Sequence, residues 1–147
     1  RSDSRAREGA KMKALILERL AEIQSLVAKV KPLLPEQVKE YQSRLTAKLQ
    51  DALNSVDEER VRQELVLFAQ RIDVDEELTR LTAHVAEVKR ILDDNKLAGK
   101  RLDFLMQELN REANTLGSKS VSVETSQVSM NLKVLIEQMR EQIQNIE

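Results

Sequence analysis

Apolar residues recur every three or four positions along nearly the whole chain, which is the period of α-helices packed through one face. Ile16, Leu20, Ile23, Val27 and Val30 follow a 4-3-4-3 spacing and mark a coiled-coil seam in a helix over residues 4–30. Lys31-Pro32-Leu33-Leu34-Pro35 ends that helix, because Pro32 disfavours helical geometry at Lys31 and Pro35 suits the first turn of the next one. Val38, Gln42, Leu45, Leu49, Ala52 and Val56 repeat the seam, so the first two helices are expected to fold back as an antiparallel, coiled-coil-like hairpin. A third helix over 57–71 presents Val61, Leu65, Phe68 and Ile72. Asp73 with Glu76 three residues on reads as a capping box opening a fourth helix to Asn95, with Gly99 at its exit. A fifth helix over 100–116 stops at Gly117. After a polar connection the last helix carries Val128, Leu132, Leu135, Ile136, Met139 and Ile143. The expected fold is all-α: a hairpin arm over 1–56 serving assembly, then a helical bundle over 57–147.

Composition narrows the class without changing this picture. Aromatics are 2% and charged residues 33%, with 3 Gly and 2 Pro, leaving few turn-formers and little to build a sheet. The absence of Cys excludes disulfides and thiolate zinc sites. There is no apolar run of membrane-spanning length and no signal-peptide pattern, so a cytoplasmic protein without a membrane partner is expected. The first residue is Arg1, which fits the C-terminal part of a longer protein. Charge is divided unevenly, with 11 Lys/Arg against 6 Asp/Glu in residues 1–50 and 13 against 19 in residues 51–147. A basic front and an acidic back suit a phosphate backbone and a divalent cation respectively, or simply unequal solvated faces.

Two ionisable residues break an apolar stripe. Stepping 100° per residue from Glu77, the positions Val74, Leu78, Leu81, Val85, Val88, Ile91 and Leu92 share one face, and Glu77 and His84 lie within it. A buried carboxylate requires a partner, a metal or a proton, so this helix is the first place to seek chemistry. Arg80 lies between them. A histidine–carboxylate pair inside a core would also account for His84, without any activity. On the fifth helix Leu102, Leu105, Met106, Leu109, Ala113 and Leu116 form a stripe whose flank holds Asp103, Gln107, Asn110 and Asn114. Amides and carboxylates in one row suit hydrogen bonding to a substrate or oxygen ligation of Mg2+ or Mn2+. The other flank carries Glu108 and Glu112, four residues apart, and Arg111 lies opposite the stripe. Neither a Gly-rich phosphate loop nor a nucleophile motif is present, and the aromatic platforms that stack single-stranded bases are lacking.

The stretches QELVLFAQRIDVDEELTRLTAHV (63–85), GKRLDFLMQELNREANTLGSKS (99–120) and KVLIEQMREQIQNIE (133–147) resemble the C-terminal region of the YicC/YloC family of bacterial endoribonucleases. The resemblance extends more weakly over the preceding helices. It implies a metal-dependent enzyme that cleaves single-stranded RNA, assembled as a hexamer, with a further N-terminal domain; this chain would then be an incomplete enzyme. Carried onto this sequence, it places acidic and histidine positions at Glu64, Asp73, Glu76, Glu77, His84, Asp103, Glu108 and Glu112. The phosphate-holding positions would be Arg71, Arg80, Arg101, Asn110, Arg111, Asn114 and Lys119. The expectation is that Glu77, His84, Asp103, Glu108 and Glu112 hold Mg2+ or Mn2+ and that Glu77 or His84 transfers the proton. Arg80 or Arg111 would then stabilise developing charge, with Arg71, Arg101, Asn110, Asn114 and Lys119 on the RNA. The competing expectation is a non-catalytic helical module for RNA binding or oligomerisation.

Overall fold

The computed structural model describes residues 2–55, 58–94, 99–119 and 122–146, and these are helical except at short turns. Five helices follow in order: α1 (Ser2–Val30), α2 (Leu33–Ser55), α3 (Glu58–Asp93), α4 (Gly99–Lys119) and α5 (Val123–Ile146). No strand occurs among the described residues, as the all-α reading expects.

The core is a four-helix bundle of α1, α3, α4 and α5. Each helix packs on two neighbours, α1 lying diagonally across from α4. Adjacent helices run antiparallel: Gln24 meets Lys89, His84 meets Glu112, and Ala113 meets Ser129. One apolar cluster joins Ile16, Leu20 and Ile23 of α1 to Leu78 and Leu81 of α3, Leu109 of α4, and Leu132 and Met139 of α5. The stripes expected on the first, fourth, fifth and last helices are all buried.

The partner of α1 differs from the expected one. Its seam is buried against α5 and α3, whereas α1 meets α2 only near their connecting turn. An apolar seam specifies a face but not which other seam covers it, and here the broader bundle outcompetes the hairpin. The antiparallel pair that does form is α2 with the N-terminal part of α3. It turns Leu34, Tyr41 and Leu45 inward and leaves Gln42 exposed, so Gln42 is not a seam residue. Tyr41 stacks on Phe68 with ring centroids 6.0 Å apart, and its hydroxyl donates to Glu64 Oε2 at 2.8 Å. Lys48 bonds the other oxygen of Glu64 at 2.6 Å, and with Tyr41 it holds that carboxyl below its ordinary range. Val56 and the side chain of Ala52 lie outside the described residues.

Two boundaries also move. The third and fourth expected helices are one, because residues 58–93 contain no Gly or Pro and Asp73 binds Lys119 at 2.9 Å instead of capping a helix start. Along the N-terminal part of this helix Leu65 and Ile72 stay exposed at 48% and 40%, so that stretch is not covered as a core face. The next helix begins at Gly99 and runs through Gly117 to Lys119. A Cβ at Gly117 would lie 2.7 Å from Ser129 Oγ, so this glycine permits close approach of α4 and α5 and does not end the helix. Ser122 supplies the α5 cap, its Oγ accepting from the Thr125 amide at 3.2 Å.

Candidate functional site

The groove between α3 and α4 gathers the ionisable groups. The bonds Asp73–Lys119, His84–Glu112 and Glu87–Arg101 set α3 and α4 antiparallel and bring Glu77 and His84 of α3, with Arg80 between them, near Glu112 and Arg111 of α4. Glu112 has no exposed surface, and both its oxygens lie 2.8 Å from His84 Nδ1. Burial raises the Glu112 carboxyl above its ordinary range; the bond from His84 opposes this, and the nearby charges of Glu77 and Glu108 add to it. His84 itself reaches solvent, its side chain being 28% exposed. The sequence puts Glu77 and His84 in one stripe and allows a histidine–carboxylate pair without naming the carboxylate; the structure makes it Glu112, which falls at about 280° on the α4 wheel, beside Leu105 at the edge of the apolar stripe.

Glu77 is 5% exposed, as a residue within an apolar stripe requires. Arg80 donates to its Oε1 at 2.6 Å, while Oε2 is buried and has no hydrogen-bond partner. On α4 the same i, i+3 arrangement joins Glu108 to Arg111 at 2.9 Å. That contact, with smaller contributions from Glu77 and Glu112, raises the Arg111 guanidinium above its ordinary value. Two partly exposed guanidiniums therefore flank a histidine backed by a buried carboxylate. When Glu112 is ionised, His84 Nδ1–H donates to it and the ring's other nitrogen is left as a base; the carboxylate fixes the tautomer and steadies an imidazolium.

Other expected positions lie apart. Asp103 is turned toward α5, accepting from Gln107 at 3.2 Å with Arg140 Nε at 3.9 Å, and does not join the His84 group. Arg101 reaches Glu87 at 3.1 Å, down the groove from His84, and Arg90 reaches the same carboxylate at 2.6 Å. These two bonds, Arg90's the larger, lower Glu87 to about 2. Lys119 is tied to Asp73 at the far end of the groove. Asn114 is exposed and Asn110 half-buried; the side chain of Arg71 lies outside the described residues.

The expected metal ligands do not assemble into a cage. Among the described residues no three His, Asp or Glu side chains converge as they would around an ion. Asp103 faces another helix, Glu108 is engaged by Arg111, and Glu112 is closed off by His84. Carboxylate oxygens suit Mg2+ or Mn2+ chemically, whereas the imidazole of His84 does not suit Mg2+, and Mg2+ commonly uses only one or two carboxylates together with substrate phosphates. Glu77, with its unpartnered Oε2, fits that sparser role.

Comparison with known proteins gives a consistent lineage. The family described as "Endoribonuclease YicC-like, C-terminal" matches residues 30–147. The chain is 49% identical over 143 residues to "Probable endoribonuclease YicC" of Haemophilus influenzae, and 31% identical over 148 residues to the protein of that name in Clostridioides difficile. These alignments cover 97% and 99% of this chain and 50% of each relative, so the chain spans about half their length. With its all-α bundle and with the matched residues extending from the end of α1 to the end of α5, the chain belongs to the YicC-like endoribonuclease family.

Proposed function

We propose that this region forms part of an endoribonuclease acting on single-stranded RNA, and that the α3–α4 groove supplies its proton transfer and phosphate contacts. The observation that carries the reading is the solvent-reaching His84 bonded to the wholly buried Glu112 beside Arg80 and Arg111. His84 exchanges a proton with the RNA. Glu112 orients the ring and stabilises its charged form, and the Arg111 guanidinium meets a phosphate oxygen as charge develops, with Arg80 held in the groove by Glu77. Glu77 would hold a divalent cation, Mg2+ or Mn2+, which when bound would neutralise phosphate charge.

The test is cleavage of an unstructured RNA by the full-length protein, with and without EDTA and after readdition of Mg2+ or Mn2+. Cleavage restored by either ion supports the whole reading; cleavage indifferent to EDTA removes the cation from it. A His84→Ala variant that cleaves normally would remove the proton-transfer assignment.

One observation favours a second reading, a non-catalytic helical module. Glu77, His84, Glu108 and Asp73 each already have a partner in Arg80, Glu112, Arg111 and Lys119, as members of a scaffold would. Absence of cleavage with any cation, together with large losses of stability in variants of these residues, would select it.

Assembly as a homo-oligomer, with the family's hexamer as the specific form, belongs to the same proposal, as does a cytoplasmic setting. Exposed Leu65, Val66, Leu67 and Ile72 on α3 support a contact between copies. Native mass spectrometry of the full-length protein tests the copy number. Among the described residues no helix is long and apolar enough to cross a membrane.

A further inference from the structure

The sequence suggests no aromatic platform for single-stranded bases, yet the outer face of α4 carries one exposed aromatic side chain, Phe104, that the proposed chemistry does not use. The chain has 2 Phe and 1 Tyr. Tyr41 and Phe68 stack on each other between α2 and α3, whereas Phe104 is 57% exposed. Its surroundings are set by helical spacing. Lys100 and Arg101 lie one turn before it, Gln107 and Glu108 one turn after, and Arg111 two turns after, about 10 Å along the axis. The side chains of Arg101 and Arg111 are each 59% exposed, and Lys100 is exposed. Arg101 is shared with Glu87 of α3 and Arg111 with Glu108, so the three cations face two acids and this face keeps an excess of one positive charge, at Lys100, in the acidic part of the chain. The neighbouring carboxylates point elsewhere: Asp103 toward Arg140 of α5, and Glu112 inward to His84.

We propose that Phe104 is a stacking platform for one unpaired base of a single-stranded RNA whose phosphates lie along Lys100, Arg101 and Arg111. An exposed ring offers its π-face to any base, and flanking cations take the backbone, which together are the two ingredients of sequence-tolerant single-strand binding. The spacing places that base one or two nucleotides from a phosphate at Arg111, so stacking holds the strand in register with His84. Phe104 is thus a positioning residue. The inference rests on the reading of the groove as an RNA site and adds to it a contact outside the groove.

The experiment uses the 147-residue chain, which has no Trp, so the Phe104→Trp variant carries a single tryptophan, at the platform, that is excited selectively over Tyr41. Titration with a 12-nucleotide unstructured RNA should quench its emission saturably. Phe104→Leu should bind the same RNA by anisotropy roughly 5- to 150-fold more weakly, the range that one base–aromatic stack spans. The salt dependence of that weaker binding should keep the slope of the unsubstituted chain, because no phosphate contact is lost, whereas Arg111→Gln should flatten it. RNA binding by the unsubstituted chain with no quenching, and with Phe104→Leu within twofold of it, would overturn the inference and leave the proposed function standing. A drop in oligomer size for Phe104→Leu with RNA affinity unchanged would also overturn it, assigning the ring to a contact between copies. Failure of the unsubstituted chain to bind RNA would overturn the groove assignment and the platform together.

Discussion

Replacing Glu112 by glutamine should separate the site from the scaffold. The side chain is wholly buried, accepts from His84 Nδ1 at 2.8 Å, and has its ionised form disfavoured chiefly by burial. Glutamine keeps the volume and one acceptor oxygen but carries no charge. A carboxyl raised in the fold contributes stability that is fully present below its ordinary value near 4.5 and is lost as pH rises through the raised folded value. The unsubstituted protein therefore loses this stability on going from pH 4 to pH 8, and Glu112→Gln does not. The variant should melt no lower than the unsubstituted protein at pH 8, with the difference between the two moving in its favour as pH rises. Activity should move oppositely. An amide neither steadies an imidazolium nor fixes the tautomer as a carboxylate does, so RNA cleavage should fall by roughly 10²- to 10⁴-fold, the usual range for a general acid–base contribution. The assay is cleavage rate beside melting temperature at pH 5, 6.5 and 8 in the full-length protein. A variant that cleaves at a near-normal rate, or one that melts well below the unsubstituted protein at pH 8, would show that the buried charge serves the packing of α3 on α4 and not the chemistry.

The remaining expectations concern the scaffold. Leu20→Ala on α1 should cost about 2–5 kcal/mol, seen as a melting temperature lower by roughly 4–20 °C, because the side chain is wholly buried in the shared core; a loss under about 1 kcal/mol would return α1 to the role of a separate arm. Gly117→Ala should destabilise by about 1 kcal/mol despite alanine's better helix propensity, since the new methyl displaces Ser129 Oγ from its 2.6 Å bond to the Ala113 carbonyl; denaturant melts of Gly117→Ala with and without Ser129→Ala check this, the second change being expected to relieve the first. Glu87, held at about 2 by Arg90 and Arg101, contributes stability present above pH 4.5 and lost as pH falls toward 2; Glu87→Gln should flatten the thermal-melt profile over that window.

Helix faces were legible in the sequence because 3.6-residue periodicity belongs to each helix alone. The stripes on α4 and α5 needed no tertiary information, and neither did the anomaly of Glu77 and His84 within a stripe. Which stripe covers which depends on total burial, and so the α1 seam went to α5 and α3 instead of α2. Local signals failed where tertiary bonds outweighed them. Asp73 and Glu76 satisfy a capping-box spacing yet sit inside a continuous helix, with Asp73 held by Lys119. Gly117 has the position of a helix stop and serves as a contact point. The site was half visible for the same reason. His84 and Glu112 are 28 residues apart, and only the register of α3 on α4 brings them together.

That register also distinguishes the two arginines of the groove, which look equivalent in the sequence. Each is held by a glutamate three residues before it, Arg80 by Glu77 and Arg111 by Glu108. The Glu77 side chain is 7% exposed and already has one oxygen without a partner, whereas that of Glu108 is 25% exposed. Drawing Arg80 away would leave a buried carboxylate with no hydrogen bond, a cost of about 1–3 kcal/mol or more. Drawing Arg111 away would break a largely solvated pair worth about 0–1 kcal/mol and leave Glu108 to water. Arg111 is therefore the guanidinium able to move onto a phosphate, while Arg80 is bound to its place. Arg111→Gln should weaken RNA binding and reduce its salt dependence with the melting temperature nearly unchanged, and Arg80→Gln should lower the melting temperature first. Equal effects of the two substitutions on both measurements would refute the distinction, since it follows from the burial of Glu77 alone.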